Sequence, residues 1–342
     1  ASALQEDFDV KVFEATPSFI GRLQQDGLET KSISLSELKS SPENKIFVFV
    51  GGGYFGEPEI NKRTWNKNFK KGYFFKTSQL LKELNIPYLI QGVEVGPISN
   101  KETIGIVRDL LKNAQHLVVR NKASRTFCEE KLGISTSKYS PDIVLFGASN
   151  FLERRSPIDT IEVRNTIALH VTGRLFSKNP LAQINLKSII RKIKEKKPSK
   201  VTLFFDQAEN ERKFYEQALK TKAALEESNI ETSLERYDGH EQLLRLISES
   251  ELVITTKLHA GMSAISLNRK VLSISSAPKI KRFYLESGLE SAHCSYFFST
   301  PSQKAAALER ALKQQAWKIP KNVISDSEGN ITQIKNALCK KY

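Results

Sequence analysis

Short apolar runs alternate with longer amphipathic stretches along most of this chain, and the alternation restarts after a polar stretch near its middle. This order is typical of α/β folds with parallel sheets, because each crossover helix covers the sheet that its strands build. Before the polar stretch we predict strands at Phe8–Glu14, Lys45–Val50, Ile86–Val93, His116–Arg120 and Asp142–Phe146, and helices at Gly72–Leu84, Lys101–Lys112 and Lys122–Leu132.

The polar stretch at Gly147–Asp159 is interpreted as a linker, since 342 residues suit two domains of about 100–200 residues each. We predict two Rossmann-like domains facing a cleft, over residues 1–150 and 160–315, and a C-terminal helical segment over 316–342. The second half has predicted strands at Asn165–Val171, Lys200–Phe205, Glu251–Thr256 and Lys270–Ser275, and predicted helices at Gln183–Lys196, Glu209–Ser228, Glu241–Ser248, Leu258–Leu267, Lys279–Glu286, Pro301–Gln315 and Ser327–Lys340.

The composition limits the classes of protein and of partner. Hydrophobic residues make up 39% of the chain, as in ordinary globular proteins, and no apolar run approaches the roughly 18 residues of a membrane span. A net charge of +14 favours anionic partners such as a phosphorylated substrate or an anionic membrane. Because no zinc-finger, helix-turn-helix or RNA-binding signature accompanies this charge, nucleic acid is not expected as a partner.

The cysteines leave two compartments open. Cys128, Cys294 and Cys339 are far apart and form no CxxC pair, which favours free thiols in a reducing compartment and, with scattered histidines, no metal site. A cytoplasmic protein held at the inner membrane face by its charge fits these features. The sequon at Asn330 fits a secretory-pathway protein whose anchor has been removed.

Two turns in the first half have the features of ligand-binding loops. In VFVGGGYFGEP, three glycines, Gly51, Gly52 and Gly53, follow an apolar strand, where they either make a tight structural turn or let the backbone approach a ligand closely. A helix after them would add an anion site. In IQGVEVGPIS, Glu94 follows the next strand, where it is either a solvated carboxylate or a group that binds a sugar hydroxyl.

Other charged residues at predicted strand ends have structural alternatives. Arg120 ends a strand, and Arg125 and Asp142 could share an ion pair instead of contacting a substrate. His170 lies within a strand and is interpreted as a packed core histidine, and Asp206 could cap the helix that follows it.

Arg174 and the segment VITTKLHAGMSAISL place positive charge after two strands of the second domain. Arg174 follows a strand end and a glycine, where an arginine can bind an anion bidentately. Lys257 and His259 lie where the predicted strand Glu251–Thr256 joins a helix. Leu258 and its neighbours therefore present backbone amides to an anion. Lys279 follows the next predicted strand, in SSAPKIKRFYLESGL, and offers a further cation or a merely solvated one.

Several of these segments together resemble the polysaccharide pyruvyltransferase family in order and spacing: VGGGYFG, QGVEVGP, VVRNKASRTF, PDIVLF, VITTKLHAGMSAISLNRKVLSIS and PKI. They span roughly residues 45–290. The resemblance implies a GT-B-like fold and transfer of the enolpyruvyl group of phosphoenolpyruvate onto a sugar of an exopolysaccharide, cell-wall or related glycan. The product would be a pyruvate ketal, and phosphate would be released without a cofactor.

The resemblance also implies roles for particular residues. Arg174 matches the family's arginine after the first strand of the second domain, and Leu258 and His259 match its Arg-Leu-His run. Lys257 stands where arginine is usual, and lysine keeps the charge but loses the bidentate fork. We hypothesise that His259 is an acid or phosphate ligand, that Arg174, Lys257 and, more weakly, Lys279 anchor the donor, and that the glycine turn and Glu94 face a saccharide acceptor, free or lipid-linked.

Two other classes of function remain open at this stage. A GT-B glycosyltransferase would use a nucleotide sugar and often an acidic residue in the second domain, but only basic charges lie between His259 and Glu286. A catalytically inactive glycan-binding relative would bind neither donor.

Overall fold

The computed structural model describes residues 4, 7–13, 24, 30–58, 61–69, 71–154, 161–316 and 320–339. The chain divides into two compact units. Unit 1 comprises residues Ala1–Ile143 together with Asn322–Tyr342, and unit 2 comprises Val144–Lys321.

Unit 1 contains a four-stranded parallel sheet in the order β3-β4-β5-β6 and a separate parallel pair, β1-β2. Because the four strands are parallel, the residues that follow them gather at one edge of the sheet. The strands are β1 (Lys11–Phe13), β2 (Lys31–Ile33), β3 (Phe47–Val50), β4 (Tyr88–Val93), β5 (His116–Val119) and β6 (Lys138–Tyr139).

Two central helices of unit 1 begin at side-chain caps that the sequence supplies. Asn100 and Asn121 each accept a hydrogen bond from the backbone N–H three residues later, which fixes where α4 and α5 begin. The helices are α1 (Leu35–Ser40), α2 (Lys62–Phe69), α3 (Tyr73–Glu83), α4 (Lys101–Lys112), α5 (Lys122–Leu132) and, from the end of the chain, α13 (Lys321–Cys339).

The last helix is part of unit 1. Leu338 and Ile334 of α13 pack on Leu89 of β4. Asn330 is buried, and its side-chain N–H group donates to the carbonyl oxygens of Pro141 (2.8 Å) and Ser327 (2.9 Å). Its Oδ1 accepts a 2.6 Å hydrogen bond from Gln91. The amide of the sequon is therefore fully used inside the folded unit.

Unit 2 is a six-stranded parallel sheet in the order β12-β11-β10-β7-β8-β9. The chain builds outward from β7 to β9 on one side, then returns to β10 and builds outward on the other. This is the strand order of a Rossmann fold, whose switch point lies between β7 and β10. The strands are β7 (Arg164–His170), β8 (Lys200–Phe204), β9 (Glu231–Glu235), β10 (Ser250–Thr255), β11 (Lys270–Ile274) and β12 (His293–Cys294).

The helices of unit 2 cover a core of branched aliphatic side chains from the central strands. The α10 helix is tightly packed: all its residues except His259 are buried, and a Cβ at Gly261 would overlap the hydroxyl of Tyr284 on α11. The helices are α6 (Val144–Glu153), α7 (Pro180–Lys196), α8 (Ala208–Glu226), α9 (His240–Glu249), α10 (Leu258–Ser266), α11 (Pro278–Glu286) and α12 (Pro301–Lys313).

Most predicted elements are confirmed, but two predictions around residue 147 are wrong. The run Asp142–Phe146 is not a strand, because α6 begins at Val144 and buries Leu145, Ala148 and Leu152 on one helical face. The predicted linker starts inside the same helix, and its residues 155–160 lie outside the described residues. Strand β9 was not predicted, because its sequence ETSLE is mostly polar.

In the part of the chain that the structure describes, we find no helix with the length and hydrophobicity that a bilayer span requires.

Replacing Asn330 with alanine should destabilise unit 1. The change leaves the Gln91 amide without its acceptor and two carbonyls without a donor, at a cost of about 1–3 kcal/mol in the free energy of unfolding. Urea unfolding followed by circular dichroism measures this loss. Glu328→Ala, at an exposed position of the same helix, is the control and should change the free energy by less than about 0.5 kcal/mol. Equal effects of the two substitutions would contradict the assignment.

Candidate active site

The predicted donor residues of unit 2 lie after three neighbouring strands. Arg174 follows β7, Lys257 and His259 follow β10, and Lys279 follows β11. Parallel strands are spaced about 4.8 Å apart, so these three strand ends lie within about 10 Å of one another. The first two ends flank the switch point of the sheet, where ligands of open α/β sheets bind.

Asp206, which follows β8, fixes Lys257. Its Oδ2 lies 2.7 Å from Lys257 Nζ, and its Oδ1 accepts a 2.8 Å hydrogen bond from Asn210 Nδ2 and lies 3.3 Å from His170 Nε2. Capping of the next helix was one of two alternatives for Asp206, but Gln207 occupies the N-cap position. The carboxylate therefore orients a cation rather than a helix start.

His170 is the buried support of this group, and the prediction of a packed histidine is confirmed. Its ring is fully buried and stacks on Phe204 with the centroids 4.7 Å apart. Its Nδ1 lies 2.8 Å from Thr255 Oγ1, which itself accepts a 3.0 Å hydrogen bond from the Lys257 N–H. When Thr255 donates to Nδ1, the Nε2–H faces Asp206.

The electrostatics of the group follow from its burial. Burial lowers the pKa of His170 below its ordinary value, despite the neighbouring Asp206, so the ring is neutral at pH 7. Burial alone would raise the pKa of Asp206, but a hydrogen bond from His170 and the hydrogen bond and charge of Lys257 outweigh it and hold that pKa well below its usual range. At neutral pH, Asp206 and Lys257 therefore form a charged pair beside a neutral imidazole.

The α10 N-terminus supplies donors next to this pair. Lys257 is the N-cap residue and offers no side-chain cap, so the first amides of the helix are not used by a capping oxygen. Leu258 is buried and anchors the turn, whereas His259, one residue later, is exposed. Such an end attracts an anion through its amides and its dipole.

Arg174 is held beside the same edge by a residue of β11's turn. Its guanidinium donates a 3.0 Å hydrogen bond to Ser275 Oγ, which also accepts from the Ala277 N–H at 3.2 Å. Lys279 is exposed two residues further on, near the start of α11. Residues after β7 and β11 are thus joined directly. The sequence could not show the Ser275 contact, because 101 residues separate the two side chains.

The predicted acceptor residues of unit 1 also meet at a strand edge. Gly51, Gly52 and Gly53 form a bend after β3, in which Gly51 and Gly52 have φ values of +61° and +88°. The Gly52 carbonyl accepts a 2.9 Å hydrogen bond from the Glu94 N–H. The turn leads to an isolated bridge between Phe55 and Val95 rather than directly into a helix, so the anion site imagined there does not form.

Glu94 is neither a solvated loop carboxylate nor an open binding group. It is 6% exposed and forms a 2.7 Å ion pair with Arg120, whose other nitrogen lies 3.0 Å from Asp142. Arg125 pairs with Glu129 on its own helix and not with Asp142. A Cβ at Gly53 would lie 3.3 Å from the Glu94 carboxylate. The arginine after β5 thus ties the residues after β4 and β6 together beneath the glycine turn.

Among the described residues, no group of three histidine, cysteine, aspartate or glutamate side chains is arranged to hold a metal ion.

Solved structures similar to this chain show its fold. UDP-GlcNAc 2-epimerase from Methanocaldococcus jannaschii matches with a TM-score of 0.62 at 13% identity, over 98% of this chain and 94% of that one. The Neisseria meningitidis UDP-GlcNAc 2-epimerase, solved with UDP-GlcNAc, matches with a TM-score of 0.60 at 12% identity, over 100% and 94%. Anabaena HepE, solved with UDP and glucose, matches with a TM-score of 0.53 at 11% identity, over 99% and 93%. The chain has an α/β fold of the GT-B type.

The sequence comparison then gives the family. The model of the polysaccharide pyruvyl transferase family matches residues 3–278, and the chain belongs to this family of transferases. No curated protein sequence matches the chain significantly.

The burial of His170 makes the stability of unit 2 depend on pH. Unfolded histidine takes up a proton near pH 6.5, whereas the folded ring does so only at lower pH, so stability is lost as the pH falls below about 6.5. His170 should contribute up to about 1.4 kcal/mol per pH unit in that window. His170→Gln should flatten the dependence of the free energy of unfolding on pH between about 7.5 and 5.5, measured by urea titration.

His293 also has a pKa that burial lowers, and it is kept in both proteins, so the difference between their two curves reports on His170. Parallel curves for the wild type and His170→Gln would contradict the buried neutral state.

Proposed function

We propose that this pyruvyltransferase takes phosphoenolpyruvate as its donor and binds it at the carboxyl edge of the unit 2 sheet. The observation that carries the proposal is the meeting of Arg174, Lys257 and the α10 N-terminus at the switch point. Phosphoenolpyruvate carries a phosphate and a carboxylate on three carbons. A small donor with two anionic groups suits an edge with two cations and a row of backbone amides.

Each residue has a distinct part in donor binding. Lys257, kept in place by Asp206, supplies a point charge for one anionic group, and Arg174, kept in place by Ser275, supplies a planar fork for the other. Leu258 anchors the helix start that presents the amides. Lys279, on the adjoining turn, adds longer-range positive potential.

The transfer needs one acid and no redox step. A proton is added to the methylene carbon of phosphoenolpyruvate, which becomes a methyl group and leaves C2 electrophilic. One sugar hydroxyl adds to C2, the C–O bond to phosphate breaks, and a second hydroxyl closes the ketal. The two sugar hydroxyls lose two protons in total. This number equals the proton gained by the methylene carbon plus the proton that leaves with phosphate.

His259 is the proposed acid. Its position in the first turn of α10, next to Lys257, puts an imidazole beside the anion that the helix end attracts, and its exposure leaves it open to a substrate. It can protonate the methylene carbon or donate a hydrogen bond to the departing phosphate.

A saccharide acceptor is proposed for the strand edge of unit 1. The Gly51–Gly53 backbone lies at the surface of that edge and can approach a sugar closely. Because Glu94 is buried and paired with Arg120, we assign it the role of positioning the glycine turn rather than of removing a proton.

We also propose a cytoplasmic location, with the positive surface favouring contact with anionic membrane lipids. The three cysteines are free, and two of them are buried. The Asn330 amide is engaged in the core of unit 1 and cannot carry a glycan in the folded protein. Both features support a reducing compartment over the secretory pathway.

Calorimetry with phosphoenolpyruvate tests the donor. We expect saturable binding to the wild type, weaker by about tenfold or more in Lys257→Met and in Arg174→Gln because each loses a charge-assisted hydrogen bond. Lys257→Arg should retain binding, and Lys220→Met, at an exposed position of α8, is the charge control. Saturable binding of UDP-sugars with no response to phosphoenolpyruvate would instead indicate a glycosyltransferase.

His259→Ala should lower turnover by about 10²–10⁴-fold while the circular dichroism spectrum stays unchanged. Turnover is measured as phosphate released from phosphoenolpyruvate in the presence of a panel of glycans. His240→Ala removes an exposed histidine elsewhere in unit 2 and should retain full activity. If His259→Ala keeps near-normal turnover, the residue is not the acid.

A further inference from the structure

A basic pocket of about 590 Å³ lies in unit 1, outside the strand edge described above. This volume is within the usual range for small-molecule sites, about 300–1,000 Å³. Its lining consists of cations from α2 and the turn after it, and of polar groups: Lys62, Arg63, Lys67, Lys71, Asn66, Ser99 and Asn100.

The four cations have no acidic partner among the described residues. Helix α2 contains no acidic residue, and Arg63 and Lys67 repeat the same charge one turn apart, which disfavours the helix in isolation. An anion bound between them would remove this repulsion.

Glu57 binds three polar residues that line the pocket and, among the described residues, forms no ion pair with its cations. Its Oε1 accepts hydrogen bonds from Asn66 Nδ2 at 2.8 Å and the Asn100 N–H at 3.3 Å, and its Oε2 accepts from Ser99 Oγ at 2.7 Å. These contacts use the carboxylate to join α2 to the loop after β4. Glu57 therefore holds together the helix and the loop whose residues line the pocket.

The pocket wall is also anchored in the core of unit 1. Asn66 is 9% exposed, and Phe69 of the same helix is buried against Phe55, with Trp65 stacked on its ring. Three of the four cations, Lys62, Arg63 and Lys67, are thus presented by a helix that the core holds in place.

Two loops connect the pocket to the glycine turn. They run side by side, because Gly96 N–H donates to Phe55 O at 2.8 Å and Glu57 N–H donates to Pro97 O at 2.9 Å. Glu57 is five positions after Gly52, so the Cα atoms of these two residues lie at most about 18 Å apart. An elongated ligand can extend from the glycine turn toward the pocket residues that Glu57 binds.

We infer that this pocket binds a phosphate or diphosphate group of the acceptor, carried at a distance from the sugar that receives the pyruvate. The inference rests on the proposed acceptor edge of unit 1. Four cations suit a group with two or three negative charges better than a single carboxylate, and Arg63 can take two oxygens of it at once. A neutral glycan would leave the pocket unused.

Titration of inorganic pyrophosphate into the full chain at low ionic strength tests the pocket. The double variant R63Q/K67Q should bind pyrophosphate about tenfold or more weakly, since two charge-assisted contacts are lost. The matched control is R108Q/K112Q, which removes the same two residue types at the same spacing from exposed positions of α4 in unit 1. The control should change the affinity less than twofold.

Competition separates the pocket from the donor edge. In the presence of saturating phosphoenolpyruvate, the part of pyrophosphate binding that R63Q/K67Q weakens should persist. Complete displacement by phosphoenolpyruvate, or equal losses in R63Q/K67Q and R108Q/K112Q, would overturn the inference. A third result would also overturn it: the protein binds vesicles of phosphatidylglycerol through Arg63 and Lys67 but does not bind pyrophosphate. These residues would then bind a membrane surface.

The donor proposal and the pocket can fail independently. If phosphoenolpyruvate binds through Lys257 and Arg174 but R63Q/K67Q does not change the affinity for pyrophosphate, only the inference about the pocket fails. If pyrophosphate binds in the pocket and phosphoenolpyruvate binds nowhere, the donor proposal fails and the pocket stands.

Discussion

Parallel strand pairing is the constraint on which both candidate sites depend. In each unit, every strand of the main sheet runs in the same direction, so residues that follow different strands are delivered to a single edge. Arg174 and Ser275 hydrogen bond although 101 residues separate them, and Arg120 joins Glu94 to Asp142 in the same way. Without the sheets, none of these groups would be neighbours.

The two edges use charge differently. In unit 1, Arg120 is buried between two carboxylates, an arrangement whose disruption costs several kcal/mol because a charge is left unpaired. In unit 2, one carboxylate, Asp206, faces the exposed side of the sheet edge together with Lys257, while Arg174 adds a further cation. The first arrangement fixes a backbone turn. The second leaves net positive charge where an anion can enter.

The sequence predicted the features that depend on local pattern. Strand and helix periods located β4, β5, β7 and β10 and the helices α4, α5, α7, α8 and α9 to within a few residues, and the join of strand and helix at Lys257 is where it was expected. Helix α6 was missed because the buried run that opens it has the same composition as a strand.

The remaining features depend on long-range contacts that no local pattern reports. The pairing of Glu94 with Arg120, the support of Lys257 by Asp206, and the docking of α13 beside β4 all join residues far apart in sequence. The sequence around Glu94 is compatible with a solvated or a buried carboxylate, and the residues that contact it in the folded chain decide between these two states.

A crystal structure of the protein with phosphoenolpyruvate would test the central claim most directly. The account predicts electron density for the donor at the α10 N-terminus, with one anionic group at Lys257, the other at Arg174, and the methylene carbon near His259. Density for the donor at a place that none of these residues touches, or an edge of unit 2 that takes up a nucleotide sugar and not phosphoenolpyruvate, would contradict it.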